Sequence, residues 1–317
     1  MDNQKLALVL GATGGIGGEV AGRLVSTGWQ VRALHRNPDA AGKNPRLEWI
    51  KGDASNAADV ADAAKGVSLI VHAVNPPGYQ NWQELVLPML ANTIAAAKAS
   101  RARILLPGTI YNYGTEVFPD IDEDAPQNPT TRKGSIRAVM ERRLRQAADR
   151  GEARVLIVRA GDYFGARAAN NWLSQGIVTP GRRPSVITYP GKPGIGHQWA
   201  YLPDVAETMV RLVEHPGLAD FATFHMEGHW DADGIRMVQA IQRVLGGKPV
   251  RVKRLPWWAM RLAAPLVPLM RELTEVKYLW DQPVRLRNER LSATIGLEPR
   301  TPLDEALRAS LTAMNCL

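Results

Sequence analysis

Residues 6–18 constrain this chain more than any other stretch. Leu6-Ala7-Leu8-Val9-Leu10 is a short, continuous apolar run, the pattern of a strand buried on both faces. It runs into Gly11-Ala12-Thr13-Gly14-Gly15-Ile16-Gly17-Gly18. From 15 to 26 apolar residues recur at helical spacing, with Ile16, Val20, Leu24 and Val25 on one side, and Gly28 closes the segment. Glycines at such a junction allow a tight turn and let the backbone approach a ligand closely. The first N–H groups of the helix, with its dipole, favour an anion there. Gly11, Thr13, Gly14, Gly15, Ile16 and Gly17 are therefore expected to hold a pyrophosphate.

Strand and helix signals then alternate. Strands are expected at 30–34, 47–51, 67–72, 103–106 and 154–158, with helices over 56–64, 84–100 and 131–150. Such alternation implies an α/β fold with a doubly wound parallel sheet of the Rossmann type. After Gly165 the pattern becomes irregular: a short helix at 171–176, strands at 185–189 and 197–202, and a helix over 203–214 that starts with Pro-Asp. A strand at 222–226 is expected to return to the main sheet. Beyond it come a helix over 231–245, a strand at 250–254, and helices broken by proline. The apolar run 262–270, interrupted by Pro265 and Pro268, reads as a broken, buried helix, and Trp257-Trp258-Ala259-Met260 as core or lobe packing, with an apolar substrate wall or an oligomer contact as alternatives. For 317 residues, one large domain with an appended lobe is the natural division. It is expected as a dinucleotide-binding domain over 1–165, completed by 196–228, and a smaller mixed α/β substrate lobe from 166–195 and 229–317.

The glycine spacing, Gly11-x-x-Gly14-x-x-Gly17, resembles that of the extended short-chain dehydrogenase/reductase family, the NAD-dependent epimerase/dehydratase group. Further landmarks match in order. Gly52-Asp53-Ala54 resembles the adenine-contacting aspartate segment, and His72-Ala73-Val74 the strand end along the cofactor. Thr109-Ile110-Tyr111-Asn112-Tyr113-Gly114 resembles the segment of the catalytic Ser/Thr. Arg159-Ala160-Gly161-Asp162-Tyr163-Phe164-Gly165, Tyr201-Leu202-Pro203-Asp204-Val205-Ala206 and Gly296-Leu297-Glu298-Pro299 resemble later signatures. The resemblance spans nearly the whole chain. It implies an NAD(P)-dependent oxidoreductase or an epimerase/dehydratase-like enzyme acting on a small carbonyl or hydroxyl compound.

NAD-preferring sites of this kind place a carboxylate near the end of the second strand. Here that end reads Val31-Arg32-Ala33-Leu34-His35-Arg36, with no acid. Arg36 can pair with a 2′-phosphate, so NADP is the expected cofactor, with NAD the alternative.

The resembled family works with a Tyr-x-x-x-Lys pair followed four residues later by glutamate. Anchored on Glu141, those positions hold Lys133 and Arg137. Arginine still donates hydrogen bonds but keeps its proton. A lysine exchanges protons near neutrality where burial or a neighbouring cation disfavours its charge, and Arg137 is one helical turn away. Against this stands a plain basic helix that also carries Arg132, Arg142, Arg143 and Arg145. Tyr111 and Tyr163 are alternative hydroxyls. Thr109 is a candidate hydrogen bond to substrate oxygen, or a strand-end threonine satisfying backbone. Asp162, Tyr163 and Asn171 are the expected substrate contacts, and Asn170-Asn171-Trp172 the start of the covering lobe. His197, Trp199, His229 and Trp230 are candidates to line the pocket, though each read individually is packing or surface.

Two functions stay open: an enzyme with an altered acid/base residue, and a catalytically inactive dinucleotide sensor. A nucleic-acid binder has only the net charge of +8 behind it, since no zinc-finger or aromatic RNA-binding motif accompanies the dispersed Lys and Arg. The histidines show no metal-ligand spacing and there is no G-x-S-x-G elbow, so no metal is expected. The single cysteine, Cys316, excludes an intrachain disulfide and suits a reducing compartment. With no leader-like N-terminus and no apolar run of spanning length, a cytoplasmic protein without membrane contact is expected, with a small-molecule substrate and a possible homodimer.

Overall fold

The apolar runs at 6–10, 69–72 and 103–106 are continuous rather than alternating, as strands covered on both faces require. In the computed structural model, which describes residues 5–41, 46–76, 82–167, 171–247 and 250–317, they occupy the middle of a seven-stranded sheet. Its order is Phe221–His225, Arg154–Arg159, Arg103–Gly108, Leu69–His72, Leu6–Leu10, Gln30–His35 and Glu48–Lys51. The pairings from Arg154–Arg159 through to Glu48–Lys51 are parallel. The strand expected to return to the sheet does so at its edge. Order reverses at Leu6–Leu10, so the glycine turn leaves the sheet at its topological switch point, where such folds take ligands.

Contacts divide the chain into two compact units. The first comprises Met1–Asn112, Arg132–Arg159 and Ala206–Phe224. Its core joins Leu8, Leu10, Ile70 and Ile104 of the strands to Val86, Leu90, Met140 and Leu144 of the helices Trp82–Ser100 and Arg132–Asp149. The second comprises Tyr113–Thr131, Ala160–Val205 and His225–Leu317. It holds a three-stranded sheet in which His197–Tyr201 lies between Asp162–Phe164 (parallel) and His229–Asp231 (antiparallel). Two short parallel pairs complete it: Val186–Tyr189 with Arg251–Arg254, and Asp120–Ile121 with Arg285–Leu286.

Three expectations are corrected. The helix expected over 231–245 spans Arg236–Val244, because Asp231 belongs to a strand and caps the helix from outside. Its carboxylate accepts from the N–H groups of Ile235, Arg236 and Met237 at 3.0–3.1 Å, and Gly234 turns the chain at φ +68°. The short helix expected at 171–176 is a single wide turn, Leu173–Ile177. The stretch 262–270 is broken as expected, into Trp257–Ala263 and Pro268–Glu275, but it is not buried. Leu262 and Leu266 are exposed, as is Trp258.

Candidate functional site

In the first unit the glycine turn adopts the geometry that its sequence demands. Gly11 has φ +94°, and a Cβ there would lie 2.6 Å from the Ala73 carbonyl oxygen. A Cβ on Gly17 would run into the carbonyl of Gly11. The first helix, Gly15–Ser26, starts from Gly14 with no side-chain cap and no acid in its first turn. Thr13 and Gly14 are exposed, and Gly15 and Ile16 half-buried. A helix end whose N–H groups are left without a capping side chain fits an anion.

The residues expected to hold an adenosine follow the second and third strands. Arg36, just past Gln30–His35, is exposed. Asp53 follows the third strand; its Oδ1 accepts from the Ser55 N–H at 2.9 Å and hydroxyl at 2.7 Å. Those bonds, helped by the Arg36 charge, hold the carboxyl below its usual range. Arg36 and Asp53 are thus brought within electrostatic reach of each other. Ala54 is fixed by Asn92, whose amide donates to its carbonyl at 3.0 Å.

Ala73 follows the fourth strand and packs on the glycine turn. Its neighbour His72 is buried, with Nδ1 2.8 Å from the Thr93 hydroxyl. Its Nε2 has no hydrogen-bond partner among the described residues. Burial, together with the Arg137 charge, pushes this imidazole down to about 3, so it is neutral.

Lys133, Arg137 and Glu141 lie at i, i+4 and i+8 on the helix Arg132–Asp149, and all three are buried. Arg137 donates from Nη2 to the Asn75 side-chain oxygen at 3.1 Å and sits 5.1 Å over the Trp82 ring. Glu141 is bound to Arg159. Thr109 donates to the Asn112 side chain at 3.2 Å, and its oxygen accepts the Tyr111 N–H at 3.3 Å. Its hydroxyl thus closes the local turn, and Tyr111 is half-buried. Asn75, Trp82 and Asn112 were missed by sequence reasoning. Only Asn112, inside the Thr-to-Gly segment, carried any signal of position.

In the second unit Asp162 and His197 stand on adjacent strands, with Oδ2 2.8 Å from Nε2. The His197 ring stacks on Trp280 at 3.7 Å, the planes 7° apart. Packing explains why His197 is buried, but the pairing with Asp162 was not legible. Tyr163 is half-buried on the same strand. Asn171 is engaged locally: its side chain accepts the Ser174 N–H and donates to the Ser174 hydroxyl, both at 3.0 Å. Asn170 lies outside the described residues. Trp199 is fully buried, while His229 and Trp230 are half-buried. Tyr113, also buried, has its hydroxyl 3.0 Å from His225. Among the described residues no group of His, Cys, Asp and Glu could hold a metal ion.

A sequence profile described as NAD(P)H-binding matches residues 11–216. The mouse sterol-4-alpha-carboxylate 3-dehydrogenase, decarboxylating, is 35% identical over 83 residues, 26% of this chain and 22% of that protein. A 3-beta-hydroxysteroid dehydrogenase of Mycolicibacterium neoaurum is 35% identical over 65 residues, 20% of this chain and 18% of its own. The matched stretches thus span about a fifth of these curated relatives. In fold, a UDP-glucuronic acid 4-epimerase from Bacillus cereus, solved with UDP-glucuronic acid and NAD, superposes with a TM-score of 0.76 over 98% of both chains at 15% identity.

Proposed function

The chain belongs to the NAD(P)H-binding family, and from that premise we propose that it is an NAD(P)-dependent oxidoreductase or epimerase/dehydratase-like enzyme with a non-standard acid/base residue. The observation that carries this reading is the uncapped helix N-terminus behind Gly11 and Gly17, two positions that leave no room for a side chain. Gly11, Thr13, Gly14, Gly15, Ile16 and Gly17 hold the pyrophosphate, Asp53 and Ala54 the adenosine, and Ala73 flanks the nicotinamide half. When bound, the nicotinamide supplies or accepts a hydride. The similar proteins are named as dehydrogenases of sterols and hydroxysteroids and as a sugar-nucleotide epimerase. A carbon that alternates between hydroxyl and carbonyl is the substrate group proposed here.

NADP is the proposed dinucleotide. What supports it is Arg36, exposed beside Asp53 at the end of a strand with no carboxylate. Hydrogen bonds to charged groups contribute about 1.5–3 kcal/mol, so Arg36→Ala should weaken NADPH about 10- to 100-fold and leave NADH unchanged. Fluorescence titration of both cofactors tests this. Equal affinity of the wild type for NADPH and NADH overturns the preference, and binding of neither overturns the whole reading.

Lys133 is the proposed proton carrier, facing inward from the position that the family fills with tyrosine. Arg137, anchored by Asn75 and Trp82, serves as a fixed donor for ribose or substrate oxygens. Tyr111 is the alternative hydroxyl, on the turn after Arg103–Gly108 that the Thr109 hydroxyl closes. Asp162 and Tyr163 are the proposed substrate contacts of the second unit, while Asn171 shapes its own turn with Ser174. Replacement of the Tyr and Lys pair supports a second reading, a dinucleotide sensor. Cofactor binding without hydride exchange toward any carbonyl or alcohol offered would favour it.

A further inference from the structure

The segment 250–271 carries Arg251, Lys253, Arg254, Arg261 and Arg271 and not one acid. It contains the strand Arg251–Arg254, exposed throughout, and the helix Trp257–Ala263, which packs on Pro268–Glu275. One side of this helix pair is anchored. Met260 is buried, the Trp257 indole donates to the Pro190 carbonyl at 2.8 Å, and the Trp257 ring meets Trp172 edge-on. The other side is apolar and open. Trp258 is 71% exposed, Leu262 one turn later 73%, and Leu266 in the connecting turn 86%, with Val267 and Leu269 also exposed. Scattered exposed leucines need no explanation, but a contiguous apolar run held outward by an anchored face does.

We infer that this helix pair docks the protein onto the surface of a bilayer containing anionic phospholipid. The charge pattern selects that occupant. A two-faced segment with Trp and Leu on one side and five Arg and Lys around it, against buried Glu272 beside Arg271 and half-buried Glu275, is net basic and suits the interface, where the apolar groups enter the acyl boundary and the cations meet lipid phosphates. Long Arg and Lys stems let the charges remain at headgroup level while the leucines go deeper. The most exposed apolar residue of the pair, Leu266, sits in the turn between Pro265 and Pro268, at its tip. The attachment is peripheral, because no helix among the described residues is long and apolar enough to cross a membrane. It goes beyond the expectation of no membrane contact, which rested on the lack of an apolar run of spanning length, with 262–270 read as a broken, buried helix. The inference is independent of the cofactor reading.

The test is co-sedimentation of the full chain with vesicles of phosphatidylcholine alone or with one-third phosphatidylglycerol. Binding should rise at least tenfold with the anionic lipid and fall in high salt. It should drop at least tenfold in Leu262→Ser/Leu266→Ser and in Arg261→Glu/Arg271→Glu, with circular dichroism and NADPH affinity unchanged. Should either double variant fail to fold, brominated lipid provides the second reading. It should quench wild-type fluorescence measurably more than that of Trp258→Phe. Absent binding to anionic vesicles, equal binding to both lipids, full binding by both folded variants, or equal quenching overturns the inference. So does a wild-type dimer that the leucine variant converts to monomer, since the patch would then cover a second copy.

Discussion

Arg159 grips Glu141 through two parallel hydrogen bonds, Nε to Oε1 at 3.0 Å and Nη2 to Oε2 at 2.5 Å, with both side chains almost wholly buried. The pair ties the helix Arg132–Asp149 to the end of the strand Arg154–Arg159. By fixing the rotation of that helix it turns the face bearing Lys133 and Arg137 inward. Removing one member leaves an uncompensated buried charge, which costs about 3–5 kcal/mol. Glu141→Gln should therefore lose that much in urea unfolding. Glu141→Met/Arg159→Met should lose clearly less than the sum of its single variants, and additive losses would mean that the two residues act separately.

The glycine turn gives a second expectation, with an internal control. Gly17→Ala sets a methyl against the Gly11 carbonyl, and Gly11→Ala adds a strained φ to a clash with Ala73. Each should reduce NADPH affinity by at least 100-fold in fluorescence titration. Gly22 lies on the same helix with open space around its missing Cβ. Gly22→Ala should keep full affinity and gain up to about 1 kcal/mol, from helix propensity alone. Undiminished NADPH binding by Gly17→Ala would refute the cradle.

These two cases show which information the residue string carried. The glycine turn was readable because its constraints are local: a strand, a turn and a helix contiguous in sequence. The Rossmann sheet was readable for the same reason, since strand and helix periods announce themselves within short windows. The Asp231 cap was misread because a carboxylate just before a helical run looks like its first turn until Gly234 bends the chain. The exposure of Leu262 and Leu266 was invisible because apolar periodicity does not say whether a partner surface exists. Asn75 with Arg137 and Asp162 with His197 join residues 62 and 35 positions apart, a proximity that only the folded chain creates.

His72 makes a prediction about acid. Its folded-state value of about 3 lies below the ordinary 6.5, chiefly through burial. Between those two values the unfolded chain binds a proton that the folded chain refuses. Stability is therefore unaffected above 6.5 and falls as pH drops through the window, by about 1.4 kcal/mol per pH unit. His72→Gln removes this term. Urea unfolding at pH 7, 5.5 and 4.5 should give a shallower loss for the variant than for the wild type. Parallel losses would show that His72 accepts its proton without cost.

The buried lysine decides between enzyme and sensor. An acid/base group contributes about 10²- to 10⁴-fold to a proton-transfer step. With Lys133 in that role, Lys133→Met should lower turnover of a carbonyl substrate by such a factor, followed as loss of NADPH absorbance. NADPH affinity should be nearly unchanged, because the pyrophosphate is held elsewhere. Tyr111→Phe, on the turn after Arg103–Gly108, separates the two candidates. A large loss there with Lys133→Met active would move the role to the tyrosine hydroxyl. Activity within tenfold of wild type in both variants would remove both as acids. Arg137→Lys provides the complementary measurement. A compact ammonium cannot reproduce the planar contact with Asn75 and Trp82, so KM should rise more than kcat falls. A reversed split, with kcat falling and KM unchanged, would place Arg137 in the transition state rather than in binding.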